Sequence, residues 1–305
     1  MESTTPGRRA SSRPPFRIRM EQIAVVPAWA ILLMAYFGTL IFTVVLSFTS
    51  SRGFPQFDFV GLSQYRRLIA TPRWSVSVEN LLIFGTGFIV WCLVFGFLLA
   101  VVMDSRIRGE GFLRTVYLYP HSMSFVVTGL AWQWMFNPAL GIQSTVRGWG
   151  WETFTLNWLT RPDLAIYVMI IAGAWQSTGL ISVILLAGLR GVDADVWKAT
   201  RVDGIPTWQV YLRIVLPMIR PMVAVSVIML AISVVKAYDL VVALTNGGPG
   251  MSTELPAKFA MDNLFARQNI GLASASITLI LVSVVAIVGP WMYCEARKAK
   301  NSGGH

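Results

Sequence analysis

The chain has 305 residues, of which 55% are hydrophobic and only 13% charged, and its mean hydropathy is +0.60. A soluble domain carries about 25% charged residues, so this composition excludes an ordinary soluble protein and places the chain among membrane proteins. The formal net charge of +10 falls in short Lys and Arg blocks between apolar runs, with no basic face or stripe, which excludes nucleic acid as a partner.

Crossing the hydrocarbon core takes roughly 20 apolar residues in a helix. Residues 1–22 form a polar tail holding Arg8, Arg9, Arg13, Arg17 and Arg19. The first apolar run, 23–48, is too long for a signal-peptide core and lacks a small-residue cleavage pattern after it, so it reads as a retained span. A short connection leads to the second run, 81–103, and then to the third, 115–136. Within the third, Pro120 predicts a kink and His121 beside it a packed, hydrogen-bonded histidine. Trp132-Gln133-Trp134 follows near its far end. The fourth run, 165–189, carries Trp175-Gln176-Ser177-Thr178, an aromatic ring beside three hydrogen-bonding side chains.

Between the fourth and fifth runs lies the most informative connection, 190–220. It is long, yet it is no polar linker. Val192, Val196, Ala199 and Val202 recur at helical spacing, and Val210, Ile214 and Pro217 continue the pattern after Gly204. Asp193 and Asp195 stand where they cap a helix N-terminus and complement its dipole. Gly204-Ile205-Pro206 breaks the pattern: glycine permits the turn and proline fixes φ for the next element. The spacing predicts a helix, a sharp turn and a second helix, with an apolar face outside the bilayer. Such a face is not left solvated; on the residues alone it lies on the membrane, packs on its own spans or docks in a partner groove.

The fifth run, 222–244, contains Lys236, Tyr238 and Asp239. An isolated charge at mid-bilayer costs about 2.5–3.5 kcal/mol even on the lenient insertion scale. The i, i+3 spacing puts Lys236 and Asp239 on one helical face, where each partly neutralises the other. Two roles follow: a polar lining for a solute path, with Tyr238 offering a ring, or a structural ion pair clamping helices. The sixth run is 272–294, followed by a polar tail, 295–305. The architecture expected is all-α, with about six transmembrane helices.

Orientation comes from Lys and Arg on alternate sides. Sixteen flank the tails, the second connection and the 190–220 connection, including Arg106, Arg108, Arg190, Arg213, Arg220, Arg297, Lys298 and Lys300; eight lie on the other side. Positive charge resists translocation, so the richer side is cytoplasmic and both termini are inside. Trp74, Trp149, Trp151, Trp158 and Trp291 fall near span edges, where an amphipathic ring prefers the interface; ordinary packing is the alternative. Cys92 and Cys294 lie inside apolar runs and imply no disulfide framework. With His121 and His305 as the only histidines, no metal ligation is expected. No internal repeat supports an inverted-repeat transporter.

The 190–220 connection resembles a known signature. Lys198-Ala199-Thr200, then Asp203-Gly204, Ile214, Leu216-Pro217 and Pro221 are similar to the cytoplasmic pattern of binding-protein-dependent ABC import permeases, Glu-Ala-Ala, Asp-Gly-Ala, Ile-x-Leu-Pro and a later Pro. The resemblance extends over nearly the whole chain. Phe59-Val60-Gly61-Leu62-Ser63-Gln64-Tyr65 is similar to a sugar-permease motif. Arg114, Tyr117 and Pro120 match around the third run, as do Gly188-Leu189 and, in the carbohydrate branch, Leu244-Thr245-Asn246-Gly247-Gly248-Pro249. Tyr119-Pro120-His121-Ser122, residues 187–193 and residues 239–245 look like glucose/mannose-type importers.

The resemblance implies a type I importer permease fold. It implies a coupling role for Val196, Lys198, Ala199, Thr200, Asp203, Gly204, Leu216 and Pro217, seated in a cleft of an ATP-binding subunit. It also implies two such ATPase subunits carrying ATP and Mg, a second and different permease, and an extracytoplasmic sugar-binding protein, with no cofactor on this chain. Lys198 reverses the family's leading Glu, so an ion pair from that position to the ATPase does not carry over; docking by shape and apolar contact does. Ile205-Pro206 also departs from the pattern.

Sugars present hydroxyl rims and apolar ring faces, so a sugar path combines hydrogen bonders with aromatic rings. Trp175, Gln176, Lys236, Tyr238 and Asp239 are the candidates, with helix packing the alternative for each. No Walker phosphate loop, HExxH pattern or GxSxG elbow is present, so this chain is expected to be a translocation subunit and no enzyme. An ion-coupled secondary transporter of small polar solutes, using Lys236 and Asp239 as relays, is the alternative; an integral-membrane enzyme is the third class.

Overall fold

The computed structural model describes residues 20–105 and 109–302. Arg8, Arg9, Arg13, Arg17, Arg19, Arg106, Arg108 and His305 lie outside the described residues, as do the side chains of Trp291, Cys294, Arg297, Lys298 and Lys300. Among the described residues the only β pairing is two isolated bridges, Thr49 with Phe59 and Arg52 with Phe54. The fold is all-α.

Helix α1 (Met20–Leu46) is exposed along most of its length. Helix α2 (Ser63–Ile69) is tied back to the end of α1, its Tyr65 Oη lying 2.7 Å from Ser47 Oγ. Helix α3 (Pro72–Asp104) opens on a proline, which is tolerated because the first helical N–H has no partner in any case. The third expected span is not one helix. It is α4 (Glu110–Leu118), a 3₁₀ turn Tyr119–Ser122 and α5 (Phe125–Met135). Pro120 lacks an N–H and sits in the first turn of the 3₁₀ segment, where none is needed; the chain leaves helical geometry at Met123, whose ψ is 153°. Ser124 restarts the helix, its Oγ accepting from Val127 N–H at 3.3 Å. His121 is exposed on this turn, not packed as the sequence predicted.

Helix α6 (Ile142–Gly148) sits in the next connection, and α7 (Ala165–Arg190) is an unbroken fourth span. Then come α8 (Ala194–Val202), α9 (Thr207–Gln209), a π-helical turn Val210–Val215 and α10 (Leu216–Met218). The fifth run is α11 (Arg220–Val235) and α12 (Tyr238–Leu244). Helices α13 (Pro256–Met261) and α14 (Ile270–Ser302) complete the chain. The segments Pro27–Leu46, Pro72–Asp104 and Ala165–Arg190 are each long and apolar enough to cross a membrane. Thr207–Met218 and Arg220–Val235 reach that measure only together, bent by 75°. The bend falls at Ile219, because Pro221 in the first turn of α11 cannot donate backward and its ring blocks a continuous helix.

The core is the pairing of α3 with α7, where Phe84, Phe88 and Cys92 are buried with Met169, Ile181 and Leu185. In lipid, helix association rests on close packing and small residues more than on the hydrophobic effect. Gly129 of α5 shows why: a Cβ there would come within 2.6 Å of Ala243 Cβ on α12. At the far end of α3 from Asp104, the loop after α12 is tied down by charge. Arg73 Nε lies 2.7 Å from the Glu254 carboxylate and also pairs with Asp262, which takes Lys258 Nζ at 2.8 Å. Trp74, expected at the interface, is instead buried edge-on against Phe259 at 5.4 Å. Trp149 and Trp151 are exposed.

Candidate functional site

The 190–220 connection folds as the spacing predicts. Asp193 caps α8, its Oδ1 accepting from Asp195 N–H at 2.9 Å. The helix is closed by Ile205 N–H on Thr200 O at 3.1 Å and Gly204 N–H on Arg201 O at 3.2 Å. Gly204 sits at φ +67°, a left-handed value that glycine adopts without a Cβ penalty. Pro206 then starts the second arm.

Of the residues assigned to coupling, Lys198, Ala199, Asp203 and Gly204 are exposed, Val196, Leu216 and Pro217 are half-buried and Thr200 is buried. The outer face of α8 thus shows Ala199 and Val202, the latter 88% exposed. Lys198 Nζ is occupied within its own helix by Asp195 Oδ1 at 2.9 Å, an exposed i, i+3 pair.

The inner face of the hairpin is aromatic, which the spacing did not reveal. Trp197 of the first arm packs edge-on against Tyr211 of the second at 5.3 Å, and Tyr211 meets Phe97 of α3 at 6.5 Å. Tyr211 Oη donates to Asp104 Oδ2 at 3.2 Å. Burial above all, and then the neighbouring Asp104 carboxylate, push the Tyr211 phenol up to about 12, so it is a neutral donor. The aromatic residues were visible in the sequence; their meeting across Gly204 depends on the turn. A second tether joins Arg190 at the end of α7 to Glu110 at 2.7 Å.

The second group of candidates divides. Gln176 is buried, its Nε2 donating to Met123 O at 2.6 Å in the break of the third span, while its Oε1 has no protein partner among the described residues. Tyr117 Oη and Ser182 Oγ nearby are likewise buried without a partner among the described residues. Trp175, on the same helix, is 41% exposed and stands edge-on to Trp132 at 6.1 Å. Trp132 stacks on Phe136 at 5.9 Å, and Phe136 meets Trp158 at 6.1 Å. Four rings therefore form a continuous aromatic ladder from the middle of α7 towards the end opposite the hairpin.

Lys236 and Asp239 do not pair. The helix ends at Val235, Lys236 and Ala237 have ψ of 5° and 16°, and α12 starts at Tyr238. The i, i+3 register exists only on an unbroken helix, so the expected clamp is absent: both side chains are exposed and no ion pair joins them. Tyr238 is half-buried beside them.

A family model described as "Binding-protein-dependent transport system inner membrane component" matches residues 92–293, about two thirds of the chain. A probable ABC transporter permease protein of Pyrococcus horikoshii is 34% identical over 272 residues, covering 88% of this chain and 93% of that protein. The xylose/arabinose import permease protein XacH of Haloferax volcanii is 30% identical over 280 residues, 89% of this chain and 88% of its own length. Among solved structures, a bacterial ABC transporter involved in the import of the acidic polysaccharide alginate superposes with a TM-score of 0.78 at 17% identity, covering 91% of this chain and 96% of that chain. That last likeness establishes a shared fold.

Proposed function

This chain belongs to the family of binding-protein-dependent transport system inner membrane components, and from that premise we propose that it is one of two permease subunits of an ATP-driven sugar importer. The observation that carries the reading is the hairpin, folded and capped, with Ala199 and Val202 on an outer face that its own spans do not cover. In this reading that face seats in a cleft of an ATP-binding subunit, and ATP with Mg belongs to that subunit. A second, different permease completes the translocation path, and an extracytoplasmic binding protein delivers the sugar.

Residues 23–294 are the membrane domain, with 1–22 and 295–305 as tails, and both termini face the cytoplasm. Closing of two ATPase subunits moves the 190–220 hairpin and tilts the spans, opening the path outward; their reopening releases sugar inside. Gln176, Lys236 and Asp239 offer hydrogen bonds to hydroxyls, and Trp175 and Tyr238 offer rings to a sugar face. The glucose/mannose-like stretches make a hexose the first substrate to try. Family membership leaves the ion-coupled alternative without an observation in its favour.

The test is a deletion of residues 198–204. Membrane insertion is expected to persist while sugar uptake and its coupling to ATP hydrolysis are lost; uptake at the wild-type rate would defeat the assignment. Binding-protein-dependent uptake of labelled monosaccharides, with and without an ionophore that collapses ion gradients while ATP is maintained, identifies both the sugar and the energy source.

A further inference from the structure

Motion of the hairpin transmits nothing unless some contact fixes it to the helices that must move. We propose that Tyr211 is that contact, a positioning residue that couples both arms of the hairpin to α3. The inference rests on the ATPase-facing reading of α8. One side chain makes three contacts on two other elements: its ring meets Trp197 of α8 at 5.3 Å and Phe97 of α3 at 6.5 Å, and its hydroxyl donates to Asp104, the last residue of α3.

Val210 and Val215 bury the second arm in the bundle core, and Tyr211 adds the link from that arm to α8. A cleft of about 560 Å³, lined among others by Asp104, Lys198, Thr200 and Tyr211, separates α8 from the end of α3 among the described residues. The Arg190–Glu110 pair joins α7 to α4 through side chains 45% and 31% exposed, and exposed pairs contribute little. Tyr211 also lies in the π-helical turn Val210–Val215. Such insertions are rare and cluster at functional sites; this one falls where the ring has to reach Trp197. Because α3 packs along α7, a push on Asp104 reaches the fourth span through packed side chains.

The experiment uses the full complex, this chain with its partner permease, ATPase and binding protein, in proteoliposomes. The readout is sugar translocated per ATP hydrolysed, with subunit assembly checked by size exclusion. Tyr211→Phe removes only the hydroxyl, and Asp104→Ala only its acceptor. Each is expected to lower the ratio about fivefold, the worth of one hydrogen bond, with assembly and ATP hydrolysis retained. Asp104→Asn keeps a carbonyl acceptor and is expected to hold the ratio near wild type. The double variant, Tyr211→Phe with Asp104→Ala, is expected to be no worse than either single one. An unchanged ratio in Tyr211→Phe, or additive losses in the double variant, would overturn the proposal. Failure of the wild-type chain to assemble with any ATPase would overturn the function proposed above, and this inference with it.

Discussion

Arg73 and Glu254, 181 residues apart in the chain, are in hydrogen-bond contact at 2.7 Å, and the Glu254 side chain is only 3% exposed. Asn80 reinforces the junction by donating to Met251 O at 2.8 Å and Glu254 O at 3.0 Å. The first turns of α3 thereby hold the loop that follows α12. Arg73→Ala strands a buried carboxylate, which is expected to cost on the order of 3 kcal/mol. Thermal unfolding of the detergent-solubilised protein measures this, and Arg73→Lys is expected to recover only part of it, since a point charge does not reproduce the guanidinium fork.

Asp262 makes the same loop acid-sensitive. Burial pushes its carboxyl up, but hydrogen bonds from Lys258 and Arg73 outweigh that and hold it below the ordinary value of 3.8. A depressed folded-state value means stabilisation that is complete above the unfolded value and lost as pH falls through the lower folded one. Asp262→Asn is therefore expected to lower the melting temperature at pH 7 and to converge on wild type as the pH is taken below about 4. Parallel melting curves at all pH values would show the carboxylate to be unpaired in solution.

Gly179 on α7 faces the carbonyl of Tyr117, with no room for a Cβ. Gly179→Ala is expected to push α4 away from α7 and destabilise the fold by about 1–3 kcal/mol. Gly148, with nothing within 4 Å of an added Cβ, is the matched control, and Gly148→Ala is expected to leave melting and uptake unchanged.

Lys236 and Asp239, unpaired and exposed within this chain, are expected to act on solute and not on folding. Lys236→Gln and Asp239→Asn are each expected to raise the KM of sugar uptake about tenfold, as loss of a charged hydrogen bond implies, with melting shifted by less than about 0.5 kcal/mol. Exchanging the two charges is expected to rescue nothing. Rescue by the exchange would restore the ion pair that the helix break excludes.

The spans were legible where composition alone decides them: the run 165–189 became Ala165–Arg190. The hairpin was legible too, because Asp193, Gly204 and Pro206 are local signals for a cap and a turn. Pro120 announced a kink, though not that the helix would stop and be capped afresh by Ser124. The break at Lys236 carries no proline or glycine, and no local pattern encodes it. The Arg73–Glu254 contact and the Trp197–Tyr211 pair depend on the assembled bundle, so their residues were visible while their partnerships were not.

In the proposed importer the outer face of α8 seats in a nucleotide-hydrolysing subunit. Photo-crosslinkers placed at Lys198 and Val202, both exposed, test it in native membranes, with the buried Thr200 as the control. The account predicts that both outer positions capture an ATP-binding subunit, with a yield that changes when ATP is added, while the control does not. Capture of lipid or of this same chain alone, unaltered by nucleotide, would contradict it.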